Sequence, residues 1–307
     1  MQRSCHSLDR LVVTFDDDHA VANAGMILPA TLAQHLGLRE LFDEHVDLGD
    51  APGRANVAIK AMTLIASALA DGDCIDDADR MRLAKTPSVL GHPVRAPSTL
   101  GTFLRSFTWG HISQLEKVQD ELLARAWTAG AGPGDGPVTI DVDSTICETY
   151  GLNKQGSKFG YTKVRGYHPL LAMVAGLDQV VGARLRSGNV HTARGGAHFL
   201  ATVFRRVRRA GATGPMVMRG DSGFYNRKVT DACTKVGVRY SITVKMSKSL
   251  LGTVSAIPRT NGRRSRTGWK EAPMWPRSPT GRSPAATKKS VWSCGEPSRP
   301  QAASWPC

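Results

Sequence analysis

Apolar residues recur at helical spacing through the first third of the chain and at strand spacing through the middle, and a glycine-rich stretch separates the two regimes. Pro29 is placed to open a helix through about Val46, with Leu32, Leu36 and Leu41 on a rough apolar stripe that Gly37 interrupts. A second helix, about 55–70, sets Val57, Ala61, Leu64, Ile65 and Ala68 on one face. After Pro97, with Ser98 as the expected N-cap, Leu100, Phe103, Leu104 and Phe107 repeat with helical period. A further helix, 112–127, leads into Gly130–Gly136 (GAGPGDG), which reads as a flexible connector and a domain boundary.

Beyond the connector the period changes. Residues 138–143 (VTIDVD) alternate as a strand, and the runs 168–176 and 179–187 flank Leu177-Asp178 as a hairpin would. A helix over 196–210, a short strand at 215–219, a helix over 224–236 and a strand over 238–245 follow. Three strands, helix, strand, helix, strand are most simply buried as an α/β mixed sheet with flanking helices. From Pro258 no sustained period of 2 or 3.6 remains, so this segment cannot fill a core. A basic disordered tail and coding DNA read out of frame both fit it. Trp269, Trp275, Trp292, Trp305, Cys294 and Cys307 favour the second, with a break near residues 257–262.

Charge sharpens this division. The 307 residues hold 40 Lys and Arg against 26 Asp and Glu, a formal charge of +14, which makes a nucleic acid the leading partner. Residues 1–130 carry 12 basic and 17 acidic side chains, 131–252 carry 18 and 7, and 253–307 carry 10 and 2. The basic character therefore belongs to the middle and the tail. No signal-peptide pattern and no apolar run of about eighteen residues occurs, so the expected location is the cytoplasm, associated with the nucleoid. The six scattered cysteines lack zinc-ligand spacing and read as reduced thiols.

Two aspartates stand at strand ends: Asp143 in IDVDST and Asp221 in MVMRGDSGFY. Converging carboxylates with no lysine beside them supply the hard oxygen ligands of Mg²⁺, with Mn²⁺ as its substitute, and so suit phosphoryl chemistry. An isolated Asp at a strand end is usually a turn former or cap. The pairing, inside the basic segment, favours the metal reading. Alternation puts Asp141 on the same face as Asp143. Asp143 is preferred because it lies nearer the strand end, with Ser144 and Thr145 as supporting donors.

The stretches TIDVDSTICETYG, KVRGYHPLLAMVAG, RSGNVHTARGGAHFL and MRGDSGFY resemble the DDE transposases of bacterial insertion sequences, over about residues 10–257. The resemblance implies an RNase H-like catalytic domain behind a helical DNA-binding region. The expected domains are thus 1–130 helical, 131–136 linker, 137–257 catalytic and 258–307 disordered tail. It assigns the first two family acids to Asp143 and Asp221, as catalytic residues and as metal ligands. The family's third acid is a glutamate on a later helix. After Asp221 only Glu271 and Glu296 remain, both in the tail, so that ligand is expected to be missing and the chain to be inactive or nearly so. Insertion-sequence ends and target DNA are the expected partners, with a homodimer implied by the resemblance alone.

Candidate DNA contacts fall outside the acids. Lys154, Lys158, Lys163 and Arg165 interleave with Phe159, Tyr161 and Tyr167 as charged and stacking groups do on nucleic-acid surfaces, although a solvated basic loop would look similar. His168, Asn189 and His191 lie in the resembling motifs, where His168 and His191 could reach phosphates or serve as structural histidines. The arginines at 205–209 fit either DNA or a helix C-terminus. In the first third, Arg80, Arg82, Arg95 and Arg105 are among the basic positions, and Arg105 is the choice for recognition of element ends. Two rival readings are a non-catalytic DNA-binding remnant that competes with intact transposase, and a stand-alone nuclease.

Overall fold

In a computed structural model of the chain, the described residues are Asp17, 20–150, 153–245, 247, 248, 251 and 252. The segment from Pro258, with Glu271 and Glu296, lies outside them. The first helical expectation resolves into two helices, α1 (Ile27–His35) and α2 (Leu38–His45). Gly37 separates them in the left-handed region at φ +64°, a conformation glycine adopts without a Cβ penalty. Leu41 is buried on α2, whereas Leu32, expected on the same stripe, is exposed.

Next come α3 (Val57–Leu69), the single turn α4 (Thr86–Leu90), α5 (Pro97–Arg105) and α6 (Trp109–Ala126). Ser98 is not the cap of α5. Ala96 takes that position in an extended conformation and Pro97 occupies the first helical position, where its missing N–H costs nothing. On α6 the cap is Thr108, reciprocated by His111, so this helix begins three residues before its expected start. Leu41, Phe42, Ala58, Phe103 and Val118 join α2, α3, α5 and α6 in one apolar cluster.

Past the glycine-rich connector, β1 (Val138–Ser144) starts the strand region. Three very short strands follow: β2 (Cys147–Glu148), β3 (Lys158–Phe159) and β4 (Arg165–Tyr167). They form a separate small sheet in the order β2-β4-β3 that the apolar pattern did not reveal, because none is long enough to show alternation. The hairpin is β5 (Leu170–Val174) and β6 (Gln179–Arg184), turning through Gly176 and Asp178 at positive φ.

Then α7 (Gly196–Arg209), β7 (Met216–Gly220), α8 (Arg227–Lys235) and β8 (Arg239–Ile242) complete the fold. The helix expected from residue 224 begins at 227, since the Asn226 side chain accepts from the Lys228 and Val229 N–H groups and fixes the start there. The expected strand over 238–245 is confined to its first half. The main sheet runs β6-β5-β1-β7-β8, with β1 antiparallel to β5 and parallel to β7, and β7 parallel to β8. This is the expected α/β mixed sheet with flanking helices.

Its core is built from Val138, Ile140 and Val142 of β1, Met216 and Met218 of β7, and Phe199, Val203 and Val207 of α7. Leu123 and Trp127, at the end of the helical region, belong to the same cluster. Helices and sheet up to Lys245 form a single compact unit. Arg206 strengthens the joint: though part of the basic run on α7, it is only 3% exposed and donates to Asp120, Gln119 Oε1 (2.8 Å) and the Val181 carbonyl (2.8 Å). Arg205 and Arg209 remain exposed. No disulfide occurs among the described residues, where Cys74 and Cys147 are exposed thiols and the buried Cys233 thiol is pushed up to about 11 by desolvation.

Candidate metal and nucleic-acid site

Parallel pairing of β1 with β7 decides where the two aspartates fall. Ile140 is in register with Met218, Asp141 with Arg219 and Val142 with Gly220. Asp143 and Asp221 are each one residue beyond the last of these pairs, at the same edge of the sheet. Neighbouring strands lie about 4.8 Å apart, so the two backbones bring these residues to corresponding positions on adjacent strands. Buried Ile140 and Val142 point into the core, and alternation sends Asp141 and Asp143 to the other face.

Asp141 is already engaged: the Arg219 guanidinium binds it through two contacts, Nε to Oδ1 at 2.6 Å and Nη2 to Oδ2 at 2.5 Å. The same pair holds the Arg219 pKa above its ordinary value. Asp143 and Asp221 have no cation partner among the described residues. Each uses one oxygen locally, Asp143 Oδ1 accepting from the Ser144 N–H (2.7 Å) and Asp221 Oδ1 from the Gly223 N–H (2.9 Å). Those bonds engage one oxygen of each carboxylate, and both residues are exposed. Exposed carboxylate oxygens without a cation are the donor type a hard divalent cation accepts.

The loop 187–195 braces both turns. Thr192 Oγ1 lies 3.5 Å from Ser144 Oγ, and a Cβ on Gly223 would strike the Thr192 side chain, so only glycine lets the two turns approach through it. Arg186 holds the loop from behind, donating to the carbonyls of His168 (2.8 Å), Thr192 (2.9 Å) and Arg194 (2.9 Å). Burial, with Arg184 nearby, lowers its pKa from the usual arginine value. Arg186 and Thr192 were not singled out as functional from sequence. Nothing in a lone Arg or Thr announces a loop-bracing role.

His168 corrects an expectation. It is 1% exposed, its Nδ1–H donates to the Val190 carbonyl (2.8 Å) and its Nε2 accepts from Ser144 Oγ (3.0 Å). A carbonyl can only accept, which fixes this tautomer. With both nitrogens used and no surface of its own, His168 does not reach a DNA phosphate; it positions the residue after Asp143.

The other expected contacts are at the surface. Lys158 and Phe159 lie on β3, Lys163 in the turn to β4, and Arg165, half-buried, on β4. Asn189 and His191 are exposed on the bracing loop, where Asn189 Oδ1 accepts from Ser187 Oγ and His191 Nδ1 from the Ala193 N–H. Arg105 is exposed at the end of α5, remote in sequence from these groups. Arg80 and Arg82 are taken up by Asp77 (2.6 Å) and Asp79 (2.9 Å).

Residues 4–306 match the Transposase DDE domain group 1 family. Among solved structures, a chain of the simian T-cell lymphotropic virus intasome in complex with PP2A regulatory subunit B56 gamma is 16% identical, covering 48% of this chain and 45% of its own, at a TM-score of 0.25. The HTLV-2 integrase catalytic core domain in complex with magnesium is 15% identical, covering 47% and 79%, at 0.24. The piggyBac transposase synaptic complex with hairpin DNA is 10% identical, covering 79% and 54%, at 0.34. The chain thus spans about half the length of the first and third. Comparison with curated proteins gave no match.

Proposed function

We propose, from the premise that the chain belongs to the Transposase DDE domain group 1 family, that it acts in DNA transposition by metal-dependent cleavage and strand transfer at the ends of a bacterial insertion sequence. The observation that supports this reading is the register of β1 and β7, in which Asp143 and Asp221 each follow the last pair by one residue, while Arg219 pairs with Asp141. The carboxylates of Asp143 and Asp221 would hold Mg²⁺ or Mn²⁺. Such ions, when bound, supply activation of a water or 3′-hydroxyl and stabilisation of the leaving oxygen. The protein's own part is orientation: the Ser144 and Gly223 N–H groups hold the inner carboxylate oxygens, and His168, Thr192 and Arg186 hold the turns that carry them. Lys158, Lys163, Arg165, Asn189 and His191 are the proposed backbone contacts near the site, and Arg105 a contact in the helical region.

A second reading is favoured by the count of acids. Among the described residues after Asp221 the only acid is Asp231, which pairs with Arg227 on α8 (3.8 Å). A site with two ligands would bind DNA and cleave poorly, as a transposase remnant competing with intact enzyme. Incubation of the full chain with supercoiled DNA carrying the element ends, in Mg²⁺ or Mn²⁺, separates the two. Nicking that disappears in Asp143→Asn and Asp221→Asn but persists in Asp141→Asn supports the first. Binding without nicking in either metal supports the second. Nicking indifferent to all three substitutions defeats the metal assignment.

A further inference from the structure

The small sheet β2-β4-β3 presents three large aromatic side chains to solvent: Tyr150 (79% exposed), Phe159 (66%) and Tyr161 (80%). Isolated exposed aromatics are ordinary, but these occur within twelve residues, on or beside one sheet. Phe159 closes β3, and Tyr161 follows it in the turn that leads to β4. Exposed Lys154, Lys158 and Lys163 surround them with no acidic partner among the described residues. Such a surface gains nothing for the fold. It buries neither ring, and it gathers positive charge.

Its placement is fixed by backbone contact. Gly188 of the bracing loop packs so closely on Gly166 and Lys158 that a Cβ there would strike both carbonyls, and a Cβ on Gly160 would strike the Gly188 carbonyl. Ser187 bridges to Tyr167 of β4, and the Gly188 N–H donates to the Gly156 carbonyl. The small sheet is thereby joined to the same loop that braces Asp143 and Asp221. The Tyr161 ring lies 6.1 Å from the His168 ring, which in turn accepts from Ser144, the neighbour of Asp143. A base stacked on Tyr161 would sit within a nucleotide or two of a phosphate at the carboxylates.

We propose that Tyr161 and Phe159 form a stacking platform for unpaired DNA bases next to the carboxylate edge, with Lys158 and Lys163 on the adjoining phosphates. The inference deepens the proposed function, on which it rests for the identity of the nucleic acid. Duplex DNA offers its phosphates at the surface but keeps the faces of its bases stacked inside. Exposed rings therefore select a strand whose bases are open, as on other single-strand surfaces built from aromatic and basic side chains.

The test is equilibrium binding of the full chain to two duplexes of one sequence, one blunt and one carrying a short unpaired flap with 2-aminopurine at its first unpaired position. The flapped DNA is expected to bind roughly fivefold to hundredfold more tightly per stacked base, with quenched 2-aminopurine emission. Tyr161→Ala, and separately Phe159→Ala, should reduce the preference and the quench while leaving blunt-duplex affinity in place, and Tyr161→Phe should retain both. Equal affinity for the two DNAs, or parallel loss of both in Tyr161→Ala, overturns the platform. Metal-dependent nicking reports on the carboxylates separately. Flap preference without nicking keeps the platform and sinks the cleavage reading; nicking without flap preference does the reverse.

Discussion

Charge is handled in opposite ways at two places on the same sheet. At the joint between α6, α7 and β6, a guanidinium is taken out of water and every direction is answered: Arg206 meets Asp120, Gln119, Val181 and the Glu116 carbonyl. At the far ends of β1 and β7, Asp143 and Asp221 are exposed, each one residue past the last pair of the two strands and with no cation partner among the described residues. The first arrangement completes itself within the chain. The second is left without a counter-charge from those residues, and a cation that binds the folded chain there adds stability by mass action. Asp141 makes the contrast sharper, because one register step inward the same face does carry its own counter-ion, Arg219.

Breaking the self-completed site should have the largest effect on stability. Arg206→Met leaves Asp120 and Gln119 without their donor at a largely buried joint, and removal of one member of a buried pair costs about 3–5 kcal/mol. Urea unfolding should show that loss, with little rescue by Arg206→Lys, whose single ammonium cannot reach Asp120, Gln119 and Val181 together. A cost below about 1 kcal/mol would mean that the joint does not hold helices and sheet as one unit.

The open site should respond to an external cation instead. At Mg²⁺ or Mn²⁺ a hundred times its dissociation constant, the wild-type chain should gain about 2.7 kcal/mol of stability, read as a rise in melting temperature. Asp143→Asn and Asp221→Asn should each lose that gain while matching wild type without metal, since both side chains are exposed. Asp141→Asn should keep the metal response. If all three variants respond like wild type, the ion binds elsewhere.

How much of this contrast the sequence carried depended on the range of the interactions. Asp143 and Asp221 could be picked out because each lies at the end of a short strand, and Gly37 because it interrupts an apolar stripe, whereas the caps Thr108 and Asn226 were passed over and the starts of α6 and α8 were misplaced by three residues. The role of Arg206 was hidden: in a run of four arginines nothing marks the one whose partners stand more than eighty residues away on α6. His168 was hidden for the same reason, since its burial comes from Val190 and Ser144, both distant in the chain. The small sheet escaped because strands of two or three residues have no period to read.

A smaller effect separates the exposed lysines from Arg206. Wild-type affinity for blunt duplex DNA should fall steeply as salt rises, since each neutralised phosphate releases counterions. Lys158→Ala and Lys163→Ala should each weaken binding whatever the sequence and reduce the salt slope by about one, roughly threefold between 50 and 200 mM salt. A flat salt response would remove the electrostatic basis of DNA binding, and an unchanged slope in both variants would remove the small sheet from it.

The smallest effect concerns a buried group in the helical region that lacks a counter-ion. His92 is 7% exposed, and its contact, the Pro93 carbonyl at 3.2 Å, only partly offsets its burial. Burial, with a lesser contribution from Arg39, lowers its pKa below the ordinary 6.5. The unfolded chain therefore binds this proton more readily than the folded one, and stability rises with pH wherever the unfolded state holds more protons. The contribution is present above about pH 6.5 and is lost as pH falls through the folded value. Urea midpoints at pH 7.5 and 5.5 should drop further for wild type than for His92→Gln, which cannot take up the proton. An equal drop in both would show that His92 is charged in the fold, and that this region, like the joint at Arg206, supplies a partner for each charge it buries.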